Sequence, residues 1–303
     1  MVEENSTLYI VEPLSNSFRV MYRLKRVLYS GKTRYQRVDI VESEDYGLTL
    51  LLDGLLQSSE IDEEIYHECL VHPVMVTHPN PRKVLVIGGG EGSTIREVEK
   101  HGTVEKIVMV DIDGELIEIV KKYIPWSRNS FEDKRLDLFI SEGREFLENQ
   151  SDGSFDIVIL DLTDPVPGEH AAGLYTVEFY QTVYRKLRDE GLMVTQASSI
   201  SHTSNTFLSI LKTVENVFPR ACCYGCYIKS FSSMWGYVVG SKSALPPDLG
   251  KEEVDLRLRE RGVEDLKFYC GDVHVSLFKL IEVYLRFYKG EARILRDLEM
   301  IGR

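Results

Sequence analysis

The chain has 303 residues, of which 48 are acidic and 36 are lysine or arginine, so its formal net charge at pH 7 is −12. This length can bury a large core, and it predicts one main α/β domain with a smaller appendage. The acidic balance argues against nucleic acid as a partner, because phosphates are met by a positive surface. It favours small cationic substrates instead.

The sequence has no apolar run long enough to span a bilayer and no amino-terminal secretion signal. We therefore expect a soluble cytoplasmic protein without membrane association. Among its five cysteines, Cys223 and Cys226 have the spacing of half a zinc or redox site. No second pair accompanies them and the segment around them is typical of a strand, so we expect reduced thiols and no metal.

Residues 1–60 alternate polar and apolar side chains, most clearly over 22–29, and contain short turns. This pattern predicts antiparallel strands in a small separate β domain. From residue 61 to about 77 the spacing becomes helical, with Ile61, Ile65 and Leu70 on the inner side of the predicted helix. Prolines at 79 and 81 end this segment.

An apolar run at 84–87 then breaks into glycines at Gly88, Gly90 and Gly92. The run predicts a buried parallel strand, and the glycines predict a sharp turn that a ligand can approach closely. The next strand ends in Asp111, in the position of an acid that accepts hydrogen bonds from ribose hydroxyls. These residues predict a nucleoside site, and the glycine spacing suits an S-adenosylmethionine-type ligand better than NAD.

Strands and helices alternate from residue 61 to residue 245, which predicts a doubly wound, mostly parallel, Rossmann-like sheet of the class I methyltransferase type. The predicted strands lie near 84–87, 106–110, 136–140, 156–160, 191–196 and 234–240. The predicted helices between them include 93–100, 114–123, 176–188 and 203–217. Residues 246–303 predict a helical tail, either packed on this domain or lying in an oligomer contact.

The fourth of these strands ends in a turn that runs from Asp161 to Asp164 and is followed by proline. Both carboxylates should face the same pocket as Asp111, unless Asp164 only caps the next element of a solvated turn. Glu91 and Glu142 add two further acids. Carboxylates this close raise one another's pKa values, and cationic ligands relieve that strain. A sulfonium nucleoside and an amine are such ligands, and an attacking amine needs a base to take its proton.

Five segments together resemble the polyamine aminopropyltransferases, the spermidine synthase family. They are LDGLLQ at 52–57, DEEIYHE at 62–68, GGGEG at 88–92, DLTDP at 161–165 and VTQA at 194–197. The resemblance implies transfer of an aminopropyl group from the co-substrate decarboxylated S-adenosylmethionine to a polyamine, with release of methylthioadenosine. It implies no metal and no prosthetic group, and a homodimer or homotetramer.

The resemblance also implies roles for individual residues, carried over motif by motif. Asp161 would be the catalytic proton acceptor. The nucleoside would be bound by Gln36, Gly88, Gly90, Asp111, Glu142 and Gly143, and the polyamine by Gln57, Tyr66, His67, Glu91, Asp164 and Gln196. From the residues alone, Tyr66 also fits a packing role, His67 a hydrogen-bonded helix histidine, and Gln196 a cap at a strand end.

Within the family, Glu91, Leu162 and Phe231 stand where the common spermidine synthases have aspartate, serine and tyrosine. The sequence is most similar to thermospermine synthases, which extend spermidine. Lys229 and Ser233, however, replace an expected proline and aspartate. A lysine near a cationic acceptor is repulsive, so either Lys229 points outward or the acceptor differs.

Four alternatives stay open at this point. The acceptor could be putrescine, as in a spermidine synthase, or agmatine. A small-molecule methyltransferase would share the nucleoside half of the site, but it need not carry the Tyr66-His67 helix or the pair Asp161 and Asp164. A non-catalytic polyamine-binding protein on this fold would keep the site without turnover.

Overall fold

A six-stranded antiparallel sheet forms the amino-terminal part of the computed structural model, which describes residues 2–4, 7–15, 17–126, 128–287 and 290–302. Its strands pair in chain order: β1 (Val2–Glu4), β2 (Thr7–Pro13), β3 (Arg19–Lys32), β4 (Arg37–Ser43), β5 (Gly47–Leu52) and β6 (Leu55–Ser59). In β3 the side chains of Tyr22 and Leu24 are buried, whereas those of Met21 and Arg23 face solvent. This alternation confirms the predicted antiparallel sheet.

The second sheet has seven strands in the order β12-β13-β11-β10-β7-β8-β9. They are β7 (Lys83–Gly88), β8 (Lys106–Asp111), β9 (Leu136–Ile140), β10 (Phe155–Asp161), β11 (Leu187–Ser199), β12 (Arg220–Ile228) and β13 (Ser233–Ser241). Strands β7 to β11 pair in parallel, and β13 is antiparallel to both β11 and β12. The predicted mostly parallel sheet is therefore confirmed.

The chain leaves β7 toward β8 and β9 on one side and returns through β10 and β11 on the other. Strand order therefore reverses between β7 and β10, and such a switch point opens a crevice at the carboxyl ends of the strands. In the register of this pair, Gly88 lies opposite Asp161. The topology thus places the glycine turn beside the predicted catalytic carboxylate.

Nine α-helices are present in the part of the chain that the structure describes. They are α1 (Glu63–Thr77), α2 (Ser93–Glu99), α3 (Gly114–Tyr123), α4 (Gly143–Glu148), α5 (Val177–Lys186), α6 (Ser204–Glu215), α7 (Lys251–Glu260), α8 (Gly271–Phe287) and α9 (Asp297–Met300). The helix predicted over 176–188 is shorter than expected, because Leu187 already begins β11. None of the described helices has the length and apolar character needed to cross a lipid bilayer.

Helix α1 is buried on nearly all sides, so the predicted inner side is correct for Leu70, which is fully buried, but wrong for Ile61. Ile61 precedes the helix and is 44% exposed, whereas thirteen of the fifteen helical residues are buried. The reason is that α1 packs against α2 and α7 as well as against β10, β11 and β12. The side chains of Glu63, His67, Glu68 and His72 therefore lie inside the protein, where each needs a polar partner.

The carboxy-terminal helices pack on the large sheet. Helix α8 lies against β12, with the ring of Phe278 5.0 Å from that of Tyr224. The guanidinium of Arg261, just after α7, donates to the carbonyl oxygens of Met75 and His78 at the end of α1. The tail is thus joined to the helix that carries the candidate site residues Tyr66 and His67.

Candidate active site

The glycine turn after β7 lies directly against the end of β10. The amide of Gly89 donates to the carbonyl oxygen of Asp161 at 2.8 Å. Gly88 has a φ of +80°, and a Cβ atom there would lie 2.1 Å from the same carbonyl oxygen. Only glycine fits this position, because it tolerates the left-handed backbone and leaves room for β10.

Asp161 is held by side chains from two helices. Tyr66 of α1 donates its hydroxyl to Oδ1 at 2.8 Å, and Thr94 of α2 donates to Oδ2 at 2.5 Å. The Nε2 atom of His67 lies 4.0 Å from Oδ2. Two hydroxyl donors fix the direction of this carboxylate, as a positioned proton acceptor requires.

Asp164 is tied to β11 rather than to the next element of a turn. Its carboxylate accepts from the hydroxyl of Ser198 at 2.9 Å and from the amide of Gln196 at 3.3 Å. Gln196 also donates to the carbonyl oxygen of Leu162 and the hydroxyl of Tyr175, both at 2.7 Å. Gln196 therefore links the turn from Asp161 to Asp164 to strand β11. Burial raises the pKa of Asp164, although the hydrogen bonds from Ser198 and Gln196 oppose this shift.

Asp111 lies at the end of β8, as predicted, next to a space that a glycine leaves open. Its Oδ1 accepts from the amide of Asp113 at 2.8 Å. A Cβ atom on Gly90 would lie 2.9 Å from its Oδ2, so a larger residue would crowd this oxygen. Burial, reinforced by the charges of Asp113 and Asp161, raises the pKa of Asp111 to about 6. The carboxylate is therefore ionised at pH 7 and can accept hydrogen bonds.

Gln36 is joined to the region around Asp111 through Asp113, a residue that the sequence analysis did not predict as part of the site. Its amide donates to Oδ2 of Asp113 at 2.9 Å, beside a bond of 2.7 Å from Thr33. Asp113 also accepts from the amide of Leu116 at 3.0 Å and so caps α3. An aspartate just before a helical pattern is an N-cap signal, which could have identified Asp113.

Glu142 and Gly143 begin α4 and have clear structural roles. The carboxylate of Glu142 accepts from the amides of Arg144 at 3.1 Å and Glu145 at 2.7 Å, as an N-cap does. A Cβ atom on Gly143 would lie 2.4 Å from Ile87, so glycine lets α4 approach β7 closely. Contact between these two residues and a nucleoside stays a prediction.

The structure does not connect Gln57 with the acidic cluster. Its side-chain amide donates to the carbonyl oxygen of Leu55 in its own strand at 3.2 Å. In the described parts of the chain, it has no hydrogen bond to any of the site carboxylates. Its contact with a polyamine therefore stays a prediction that rests on the motif.

His67 is surrounded by carboxylates inside the protein. Its Nδ1 lies 2.7 Å from the carbonyl oxygen of Glu63 and 3.1 Å from the Glu63 carboxylate, and its Nε2 lies 3.2 Å from Glu91. Burial disfavours the imidazolium, but the charges of Glu91 and Glu63 outweigh burial and raise the pKa of His67 to about 9. Burial also disfavours the charged form of Glu91 and so raises its pKa, although the charge of His67 opposes this shift.

The donor atoms of Glu63, His67 and Glu91 lie within 4.8 Å of one another, as the ligands of a metal ion would. However, Arg96 donates to both oxygens of Glu63, at 2.8 and 2.9 Å. A guanidinium in this position repels a metal cation and uses the lone pairs of one ligand. The arrangement fits a buried ion-pair cluster better than a metal site.

The raised pKa of His67 predicts a pH-dependent contribution to stability. Because the folded pKa of about 9 exceeds the ordinary value of 6.5, the stabilisation is complete below pH 6.5 and is lost as pH rises through 9. We expect the gap in unfolding free energy between wild type and His67→Gln to shrink by roughly 3 kcal/mol between pH 6 and pH 10. Denaturant unfolding at one protein concentration measures this gap, and an unchanged gap would contradict the prediction.

The segment after β12 shows in which direction Lys229 points. Its ammonium lies over the ring of Tyr46, 5.7 Å from the centroid, so the side chain points outward to the amino-terminal sheet. Phe231 is buried instead, with ring centroids 5.8 Å from Tyr66 and 4.6 Å from Trp235. Of the two, Phe231 is therefore the residue that faces the candidate site.

The sequence and the fold are similar to those of known polyamine aminopropyltransferases and spermidine synthases. The sequence matches two domain families, "Spermine/spermidine synthase domain" over residues 63–248 and "Spermidine synthase tetramerisation domain" over residues 8–60. A curated relative, polyamine aminopropyltransferase 1 of Hyperthermus butylicus, is 45% identical over 263 residues, which are 86% of this chain and 90% of the relative. The polyamine aminopropyltransferase of Pyrobaculum aerophilum is 43% identical over 276 residues, 90% and 94% of the two chains.

Two solved structures share the fold at 35% identity. A spermidine synthase in complex with the transition-state analogue AdoDATO superposes with a TM-score of 0.85 and covers 92% of this chain and 95% of its own. The spermidine synthase of Thermotoga maritima has a TM-score of 0.83, with coverage of 92% and 94%.

Proposed function

The chain belongs to the polyamine aminopropyltransferases, the spermine/spermidine synthase family, and we propose that it transfers an aminopropyl group from decarboxylated S-adenosylmethionine to spermidine, giving thermospermine. The observation that carries this proposal is the carboxylate of Asp161, held at the switch point of the sheet by Tyr66 and Thr94. The main chain of Asp161 lies against the glycine turn, and Asp164 follows it three residues later in the chain.

The nucleoside would occupy the glycine turn. Its ribose hydroxyls would donate to Asp111, in the space that Gly90 leaves beside Oδ2. Gln36 lies next to this place through its bond to Asp113. We propose that the adenine end reaches the start of α4, at Gly143, while Gly88 keeps the backbone clear of the ligand.

In the proposed reaction the amine attacks the carbon next to the sulfonium. An amine is mostly protonated at neutral pH, since its ordinary pKa is near 10. Asp161 takes the proton, and the nitrogen lone pair then forms the new carbon–nitrogen bond. The carbon–sulfur bond breaks as this bond forms, its electron pair stays on sulfur, and methylthioadenosine leaves uncharged. Holding both substrates in line supplies much of the rate.

Acidic and polar side chains would hold the remaining ammonium groups of the acceptor. We assign this role to Asp164 and Glu91, with Tyr66, Gln57 and Gln196 along the channel. His67, as an imidazolium, would line the channel beside Glu91 and Asp161 without holding an ammonium group itself. Both oxygens of Glu91 are buried. His67 Nε2 lies 3.2 Å from Oε1, and no other described side chain forms a well-formed hydrogen bond to this carboxylate. A buried carboxylate in that condition is stabilised by an incoming cation.

The choice of spermidine rests on Phe231 and Lys229. Phe231 presents an apolar ring beside Tyr66, where the common spermidine synthases have a tyrosine hydroxyl, and this favours the methylene part of a longer acceptor. Lys229 does not oppose this choice, because it points toward Tyr46. Putrescine and agmatine are the competing acceptors.

Product analysis tests the proposal. The pure protein is incubated with decarboxylated S-adenosylmethionine and, separately, spermidine, putrescine and agmatine, and the products are separated by chromatography that resolves thermospermine from spermine. We expect thermospermine together with methylthioadenosine. Preference for putrescine or agmatine would replace the acceptor but keep aminopropyl transfer. Absence of methylthioadenosine with every amine would contradict the function and support a protein that binds polyamine without turnover.

We also propose a homodimer or homotetramer built through the amino-terminal sheet, with residues 1–60, 61–245 and 246–303 as the three units of the chain. The matched tetramerisation domain supports this assembly. So do three apolar side chains exposed on that sheet: Met21 at 51%, Val27 at 37% and Leu55 at 40%. A second copy of the chain would cover them.

A further inference from the structure

The protonation of one His67 nitrogen follows from its neighbour. Nδ1 lies 2.7 Å from the main-chain carbonyl oxygen of Glu63, one turn earlier in α1. A carbonyl oxygen can only accept, so Nδ1 carries a hydrogen. The Glu63 carboxylate lies 3.1 Å from the same nitrogen and reinforces this bond. The ring is thus fastened to its own helix on one side.

Glu63 is in turn held by Arg96, which comes from a different helix. The guanidinium forms a fork on the carboxylate, with bonds of 2.8 and 2.9 Å to its two oxygens. Such a pair fixes direction as well as charge. The bonds of Arg96 and His67 hold the pKa of Glu63 below its usual range, despite its burial.

Arg96 is itself fixed from the far side by Glu97, to which its Nε donates at 2.8 Å. Glu97 also lies 2.7 Å from Lys100 and 3.1 Å from the buried His72 of α1. This network joins α1 and α2 over their length. It leaves Arg96 little freedom to turn away from Glu63.

The other nitrogen of His67 faces the reaction centre. Nε2 lies 3.2 Å from Glu91 in the glycine turn and 4.0 Å from Asp161 at the end of β10. Tyr66, whose ring centroid lies 4.8 Å from that of His67, donates to the other oxygen of Asp161. A hydrogen on Nε2 would therefore point at two carboxylates that otherwise repel each other.

We propose that Glu63 and Arg96 are positioning residues of this enzyme, which hold His67 so that its Nε2–H lies between Glu91 and Asp161. This inference rests on the proposed function and deepens it. The imidazolium offsets the repulsion between the two carboxylates before a substrate cation arrives. The charged groups around the ring are Glu63, Glu91, Asp161 and, behind Glu63, Arg96.

The test measures His67 directly. Nitrogen-15 NMR of histidine-labelled protein is recorded over pH without substrate, and His67→Gln identifies the signal among the seven histidines. We expect Glu63→Gln to lower the pKa of His67 by about one unit or more. It should also lower kcat by about tenfold, with a smaller change in the KM for the nucleoside. Glu64→Gln, which removes the same charge from the next residue of α1, is the matched control and should leave both values near wild type.

Arg96→Lys separates position from charge. Lysine keeps the charge but cannot form the fork on Glu63, so we expect a pKa of His67 near the wild-type value and a kcat several-fold lower. If the pKa of His67 and kcat are both unchanged in Glu63→Gln, the inference is overturned. If Glu63→Gln does not fold, an unchanged kcat in Arg96→Lys overturns it instead. Because the titration needs no turnover, failure of the proposed function would appear separately, as a wild-type protein without product.

Discussion

Replacing Asp161 with asparagine is expected to lower turnover by about a thousandfold, while methylthioadenosine still binds with nearly wild-type affinity. Asparagine has almost the same shape, and its amide can still meet the hydroxyls of Tyr66 and Thr94 after these rotate. It cannot take a proton from the amine. The loss should therefore fall on the chemical step and not on the fold.

Single-turnover kinetics and calorimetric titration with methylthioadenosine measure the two halves of this prediction. Asp164→Asn serves as the comparison, because Asp164 is the residue that we propose to hold the acceptor amine. We expect its effect to fall mainly on the KM for the amine. Wild-type turnover in Asp161→Asn would remove Asp161 from the role of proton acceptor, and loss of nucleoside binding would show that the substitution had damaged the site more widely.

Replacing Gly88 with alanine is expected to cost about 3 kcal/mol or more of unfolding free energy and to abolish activity. Alanine is strained at the left-handed φ of +80° that this position has. Its Cβ atom would also lie 2.1 Å from the carbonyl oxygen of Asp161. That oxygen belongs to the main chain of β10, so it moves only if the end of the strand moves. The carboxylate of Asp161 would move with it.

Gly54→Ala provides the matched control for this substitution. Gly54 has a similar φ of +83° in the turn between β5 and β6, but a Cβ atom there would meet nothing within 4 Å. It should therefore show the backbone strain alone, roughly 1 kcal/mol, with activity retained. Equal losses in the two variants, measured by denaturant unfolding, would mean that contact with β10 contributes nothing.

The chain has a formal charge of −12, and the candidate site is rich in carboxylates as well. The site also contains buried cationic side chains. Glu91 and Asp161 face one imidazolium, and Glu63 is paired with a guanidinium. Internal cations thus balance part of the acidic cluster, and the proposed function assigns substrate recognition to Glu91, Asp161 and Asp164. An acidic composition alone does not reveal this division.

Six of the seven strands of the large sheet, and the meeting of Asp111, Asp161 and the glycine turn, could be predicted from the sequence; β12 was missing from the predicted sheet. These features follow from local patterns, since apolar runs and helical spacing define the elements. In a parallel sheet the carboxyl ends of the strands lie at one edge. Residues at those ends are therefore brought together by topology, whatever the details of packing.

The partners of these residues were decided only by the tertiary structure. Tyr66 and Asp161 are 95 positions apart, and Glu63 and Arg96 are 33 apart, so no local pattern links them. Lys229 could point inward or outward until Tyr46 was placed beside it. A buried polar group must find a partner across space, and which side chain satisfies it depends on how α1 packs between its neighbours. The sequence by itself determined which residues meet at the candidate site, and the packing around α1 determined which charged groups surround them and in which direction they point.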